Sequence, residues 1–160
     1  MKRWVLALAL DSMPAWLVIA AWMVLVILVL TPSRREFRWF LQLRRPRWLT
    51  FERWIPAIWL VIYLCFFASA IQAWAASGSG RLLFAYLGLL VLVQSYTWVI
   101  CRTRRLRNGT LVGLAGWLWG MVLAAALLPI SRPAALLLVP YLLWSPVGTF
   151  VTYRMERLND

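Results

Sequence analysis

The chain has 160 residues, 64% of them hydrophobic, and a mean hydropathy of +0.77, which leaves too little polar surface to cover a soluble core of this size. Net charge is +12, from 17 Lys and Arg against 5 Asp and Glu. The arginines fall in short segments between apolar runs, a pattern that sets membrane orientation and argues against nucleic acid as a partner. Histidine is absent, which removes the commonest metal ligand and the usual general base near neutral pH. Cys65 and Cys101 form neither a metal-binding nor a disulfide pattern, so no metal site and no required cofactor are expected.

The apolar runs are of spanning length and none alternates with a period of two, so the expected class is an all-α membrane protein. Met1 to Ser12 reads as a short amphipathic lead. Lys2 and Arg3 ahead of an apolar patch also suit the start of a signal sequence, but no small-residue cleavage site follows and a longer apolar run does. A first span is expected over 14–30. A basic segment, 31–53, follows and is too long for a turn; Trp39, Phe40, Leu41 and Leu43 give it an apolar side that suits the membrane face or the top of a helix bundle. A second span is expected over 54–75, and Ser77-Gly78-Ser79-Gly80 makes a turn. The third covers 82–101, a basic turn runs from Arg102 to Asn108, and the fourth covers 109–130. Ser131-Arg132-Pro133 breaks the chain before a fifth span over 133–152 and a polar tail. No separate domain is evident, so 1–160 reads as one five-helix unit. Thirteen basic residues then fall on the side of the first loop, third loop and C-terminus, against four opposite. That places the N-terminus outside and the C-terminus in the cytoplasm.

Asp11, Glu36, Glu52, Glu156 and Asp160 all lie outside the spans, so no buried carboxylate pair and no catalytic residue is expected. Twelve tryptophans are far above ordinary usage. Trp4, Trp16, Trp54, Trp74 and Trp98 lie near span ends and suit an interfacial belt. Trp59, Trp117, Trp119 and Trp144 lie deeper, where core packing competes with a ligand-stacking role. Gly116-x-x-x-Gly120 is a close-packing motif, within the chain or between two copies. Val151-Thr152-Tyr153 followed by Arg157 meets a loose sterol pattern that matches too many sequences to carry weight.

The run from Arg38-Trp39-Phe40 through Arg44-Arg45-Pro46-Arg47-Trp48 to Trp59-Leu60-Val61-Ile62-Tyr63, with Val139-Pro140-Tyr141-Leu142-Leu143-Trp144 near the other end, resembles the tryptophan-rich sensory protein / translocator protein (TspO/MBR) family. The resemblance covers roughly residues 31–159. It implies a five-helix bundle, often a homodimer, whose first loop caps a pocket for tetrapyrroles such as porphyrin or haem. Pro46-Arg47-Trp48 matches the family's loop motif, and Trp59, Pro140, Tyr141 and Trp144 fall on its second- and fifth-helix motifs. The residues so implied to bind ligand are Trp39, Trp48, Trp59, Tyr63, Trp98, Tyr141 and Trp144, with Trp59 and Trp144 foremost. Light-dependent porphyrin breakdown is the most chemistry it implies, with those two indoles as its residues. Two features depart from the family: Leu49-Thr50-Phe51 replaces a Pro-Pro pair, and Ser95 and Val99 stand where an Asn and a hydroxyl are usual around Trp98.

On physical grounds a planar macrocycle gains from indole faces, and its propionates suit arginines at a pocket mouth, with Arg44, Arg45 and Arg47 the candidates. The same arginines suit anionic membrane lipid. Two readings follow. One is a holder of a flat hydrophobic ligand, for sensing, handling or transport. The other is an assembly subunit that packs against a larger membrane complex. A cavity between the loop and the helices would distinguish the first.

Overall fold

The computed structural model describes residues 14–159; the lead expected over 1–12 lies outside them. Seven α-helices occur among the described residues: α1 Ala15–Val29, α2 Arg34–Leu41, α3 Ile55–Ser77, α4 Gly80–Thr103, α5 Leu106–Leu127, α6 Arg132–Leu136 and α7 Val139–Asn159. A 3-10 turn, Glu52–Trp54, leads into α3. Four stretches, Glu52–Ser77, Gly80–Thr103, Leu106–Leu127 and Arg132–Asn159, are each long and apolar enough to span a membrane. With 15 residues, α1 rises only about 22 Å, and it reaches spanning length only together with α2, from which it is bent by 71°. The described residues therefore hold four to five candidate spans.

Three boundaries differ from the sequence expectation. The basic turn narrows to Arg104 and Arg105, because α4 runs to Thr103 and α5 starts at Leu106; Arg104 itself takes the left-handed conformation, with φ 52°. The fourth span, α5, ends at Leu127, where Ile130 and Ser131 both donate back to the Leu127 carbonyl. The last helix continues through the polar tail to Asn159, since the edge of the lipid ends an apolar run without ending a helix. The turn after α3 falls where expected: Gly78 adopts φ 59° and donates to Trp74 O at 2.7 Å, closing the helix with the residue that takes this conformation without a Cβ penalty.

The core is shared by α1, α3, α4, α5, α6 and α7, with Ile62, Phe66, Ala73, Leu89, Leu127, Leu138 and Tyr141 among its buried residues. Gly116 and Gly120 of α5 both face Tyr141 of α7; a Cβ on Gly120 would lie 2.7 Å from the tyrosine ring, and one on Gly116 2.9 Å from its hydroxyl. The Gly-x-x-x-Gly pair thus serves close packing inside the chain. Two deep indoles tie helices together through backbone carbonyls. Pro146 stands inside α7 and has no N–H for the carbonyl of Leu142, four residues back; Trp117 of α5 supplies that bond, Nε1 to Leu142 O at 3.0 Å. Trp119 lies against Gly88 and donates to Ala85 O of α4 at 2.9 Å. In a lipid environment such carbonyls have no water to turn to.

The segment before α3 folds back over one end of the bundle. Ser33 and Glu36 form a reciprocal capping box that starts α2. Trp39, Phe40 and Leu43 then pack on a small buried cluster of Ile100, Leu106 and Met155, at the ends of α4, α5 and α7. Leu41 points away and is half exposed.

Candidate functional site

A cavity of about 290 Å³ lies between this segment and the bundle, at the lower edge of the ~300–1,000 Å³ usual for small-molecule sites. One wall is aromatic: Phe37, Phe40, Phe51, Trp59, Tyr141 and Trp144. The edge of Phe51 meets Trp144 at a centroid distance of 6.0 Å and 69°. Hydroxyls line it as well, from Tyr96 and Thr97 of α4 and Ser145, Thr149 and Thr152 of α7. Tyr96 donates to Gly148 O at 3.1 Å and is hydrogen-bonded to Thr152, which ties its phenol to α7. Arg45 and Glu52 stand at the edge.

The residues singled out in the sequence sort into three groups. Trp59, Tyr141, Trp144 and Arg45 line the cavity. Trp39, Trp48 and Tyr63 lie one layer behind it. Trp39 anchors α2 on the second cluster. Trp48 stacks on Phe150 at 6.0 Å and 27° and leans on the cavity residue Phe51 at 6.5 Å. Tyr63 sits a helical turn beyond Trp59, ring centroids 5.8 Å apart. Trp98, Arg44 and Arg47 are off the cavity, and both arginines are exposed. On α4 the cavity face is Leu92, Val93, Tyr96 and Thr97, a helical stripe that leaves Trp98 and Ser95 to one side; the Ser95 hydroxyl donates to its own helix, at Leu92 O.

The hydroxyl lining was missed in the sequence. Its signal was the helical spacing Tyr141, Trp144, Ser145, Gly148, Thr149, Thr152, Met155, one continuous face of α7. Apart from Arg45 and Glu52, the polar side chains that line the site are hydroxyls of α4 and α7.

Two latches hold the loop down. Arg44 donates its backbone N–H to Asn159 Oδ1 at 2.9 Å, and Asn159 Nδ2 donates to Arg44 O at 3.0 Å, the paired bonding one strand gives another. On the far side Arg102, near the end of α4, bonds Glu36 at 3.2 Å. The Ser33 hydroxyl and backbone N–H, and then Arg102, hold the Glu36 carboxyl below the usual carboxylate range. A carboxyl lowered in the folded state gives its stabilisation in full above its unfolded pKa and loses it as pH falls through the lowered value. This latch therefore holds at neutral pH and fails only in acid.

The C-terminal latch makes a direct prediction. Asn159→Ala removes both bonds to Arg44 and should speed amide hydrogen exchange over residues 43–48 by about tenfold, at net ~0.5–1.5 kcal/mol per bond. Exchange in the core of α3 should not change. Equal exchange in the loop of both proteins would mean that Asn159 does not hold it.

The model of the TspO/MBR family matches residues 15–158. The chain is 28% identical to Translocator protein 2 of Canis lupus familiaris over 138 residues, covering 82% of this chain and 80% of that protein. It is 33% identical to Translocator protein of Bos taurus over 132 residues, covering 78% and 76%. It is also 28% identical over 124 residues to the uncharacterized membrane protein YtaB of Bacillus subtilis (strain 168), covering 76% and 80%. The family match runs through the loop and all the helices that line the cavity, and the chain is a membrane protein that belongs to the TspO/MBR family.

Proposed function

We propose that the cavity beneath the loop binds a planar hydrophobic ligand with a carboxylate edge, a tetrapyrrole of the porphyrin or haem class, and that the protein acts in its sensing, handling or transport. The observation that carries this reading is the placement of Trp59, Trp144 and Phe51 around one open space with Arg45 at its edge. Flat aromatic walls favour a flat ring by stacking, and a guanidinium favours a carboxylate through charge-assisted hydrogen bonds. With a space of about 290 Å³, the ring enters as the loop lifts from its latches, its carboxylates staying at the mouth. The excess of basic residues on that side supports a mouth facing the cytoplasm. Two relatives carry the printed name translocator protein, which agrees with movement of a ligand without naming one. The assembly-subunit reading calls for side chains filling this space, and it is less favoured for that reason.

The test is a titration of intrinsic fluorescence with protoporphyrin IX in detergent, corrected for inner-filter absorption. Saturable quenching at micromolar ligand is expected, with affinity reduced at least about tenfold in the Trp59→Phe, Trp144→Phe double variant; loss of stacking at ~0.5–1.5 kcal/mol per indole sets that scale. Linear quenching that is the same in both proteins would reject the pocket.

A further inference from the structure

The arginine at the cavity is already occupied. Arg45 Nε lies 2.5 Å from Glu52 Oε1. Its Nη1 donates to Leu41 O at 3.1 Å and Leu43 O at 3.4 Å, and its guanidinium lies over the Phe40 ring, 5.6 Å from the centroid. Nη1 is thus committed to the backbone at the end of α2. The edge that remains for a carboxylate is the side-on pair Nε and Nη2, and Glu52 sits on it.

The two partners are held differently. The Arg45 side chain is 20% exposed and pinned by carbonyls and a ring, whereas Glu52 is 46% exposed. Glu52 also opens the turn that leads into α3. A carboxylate at that position remains favoured by the helix N-terminus and by water after it lets go of the arginine. Exchange at Arg45 therefore costs Glu52 little, while the arginine stays in place.

We infer that Glu52 is a built-in competitor for the ligand's carboxylate: it keeps Arg45 charge-paired while the site is empty and gives way to an acidic ligand, which makes Glu52 the residue that sets how strongly the site prefers acids to neutral ligands. This rests on the proposed ligand cavity. It assigns Arg44 and Arg47 no part in that preference, since both face outward.

Binding of protoporphyrin IX and of its dimethyl ester to the full-length protein separates the two claims, because the ester keeps the ring and loses the charge. Glu52→Gln should tighten protoporphyrin IX by about three- to fivefold, the upper part of the range of a partly exposed ion pair, and leave the ester within twofold. Arg45→Gln should weaken the acid by about tenfold, the scale of a charge-assisted hydrogen bond, and abolish the effect of Glu52→Gln in the double variant. Arg45→Lys keeps the charge without the side-on edge and should fall between. Glu52→Gln leaves the Nη1 bonds intact, so it keeps the test decisive if Arg45→Gln fails to fold. Unchanged or weaker acid binding in Glu52→Gln, or equal shifts for acid and ester, overturns the competitor role while the cavity stands. Saturable binding of neither ligand to the unaltered protein overturns the cavity and this inference with it.

Discussion

Replacing Gly120 with leucine should lower the melting temperature of the detergent-solubilised protein by on the order of 5–10 °C, the expected result of overpacking by about 1–3 kcal/mol in a chain of this length. A Cβ at this position lies 2.7 Å from Tyr141 Cε1 and 3.2 Å from Leu142 Cδ2, inside van der Waals contact. The tyrosine is closely packed. It is 2% exposed, and its ring is held edge-on by Phe66 at 5.2 Å and 62°. Relief requires α5 and α7 to separate, which would also break the Trp117 bond to the Leu142 carbonyl that Pro146 leaves without a helical donor. A circular-dichroism melt measures this. An unchanged melt with a change in oligomeric state would instead assign the Gly-x-x-x-Gly pair to contact between copies.

The opposite change at another glycine should leave the fold intact and remove the site. Gly148 lines the cavity on α7, and a Cβ added there meets nothing within 4 Å. Gly148→Phe places a ring in the open space, and replacing a glycine inside a helix itself favours folding by roughly 0.5–1 kcal/mol. The melting temperature should hold or rise slightly. Affinity for protoporphyrin IX should fall at least about tenfold, or 1.4 kcal/mol, because ring and ligand compete for one volume. The pair of variants separates fold from function: Gly120→Leu costs stability, Gly148→Phe costs binding. Wild-type affinity in Gly148→Phe would place the ligand elsewhere.

Hydropathy was enough to locate four spanning stretches, because an apolar run of ~20 residues has few other uses; the first expected span is of spanning length only together with α2. The loop motif and the α7 motif singled out Trp59, Tyr141 and Trp144, which the fold brings to one cavity. What stayed hidden has physical causes. A helix that is apolar all round carries no periodicity to say which face meets a cavity and which meets lipid, so nothing in the sequence of α4 ranked Tyr96 and Thr97 above Trp98. Arg44, Arg45 and Arg47 are equivalent as charges; only the turn after α2, which sends one inward to Glu52 and two outward, tells them apart. The polar tail read as the end of the last helix, yet its continuation carries Asn159 to the loop backbone. A latch between residues 115 positions apart leaves no local trace.

The most direct measurement of the account is where a bound tetrapyrrole sits. The molecule has a second apolar recess of about 290 Å³, between α1, α3 and α4, edged by Trp22, Trp74 and Phe84. It offers indoles too, but no charged side chain among the described residues. An experimental structure of the complex with protoporphyrin IX should show the ring between Trp59 and Trp144, with a propionate on Arg45 and Glu52 turned away. A ring seated against Trp22 and Trp74, with the cavity beneath the loop unchanged, would contradict the account.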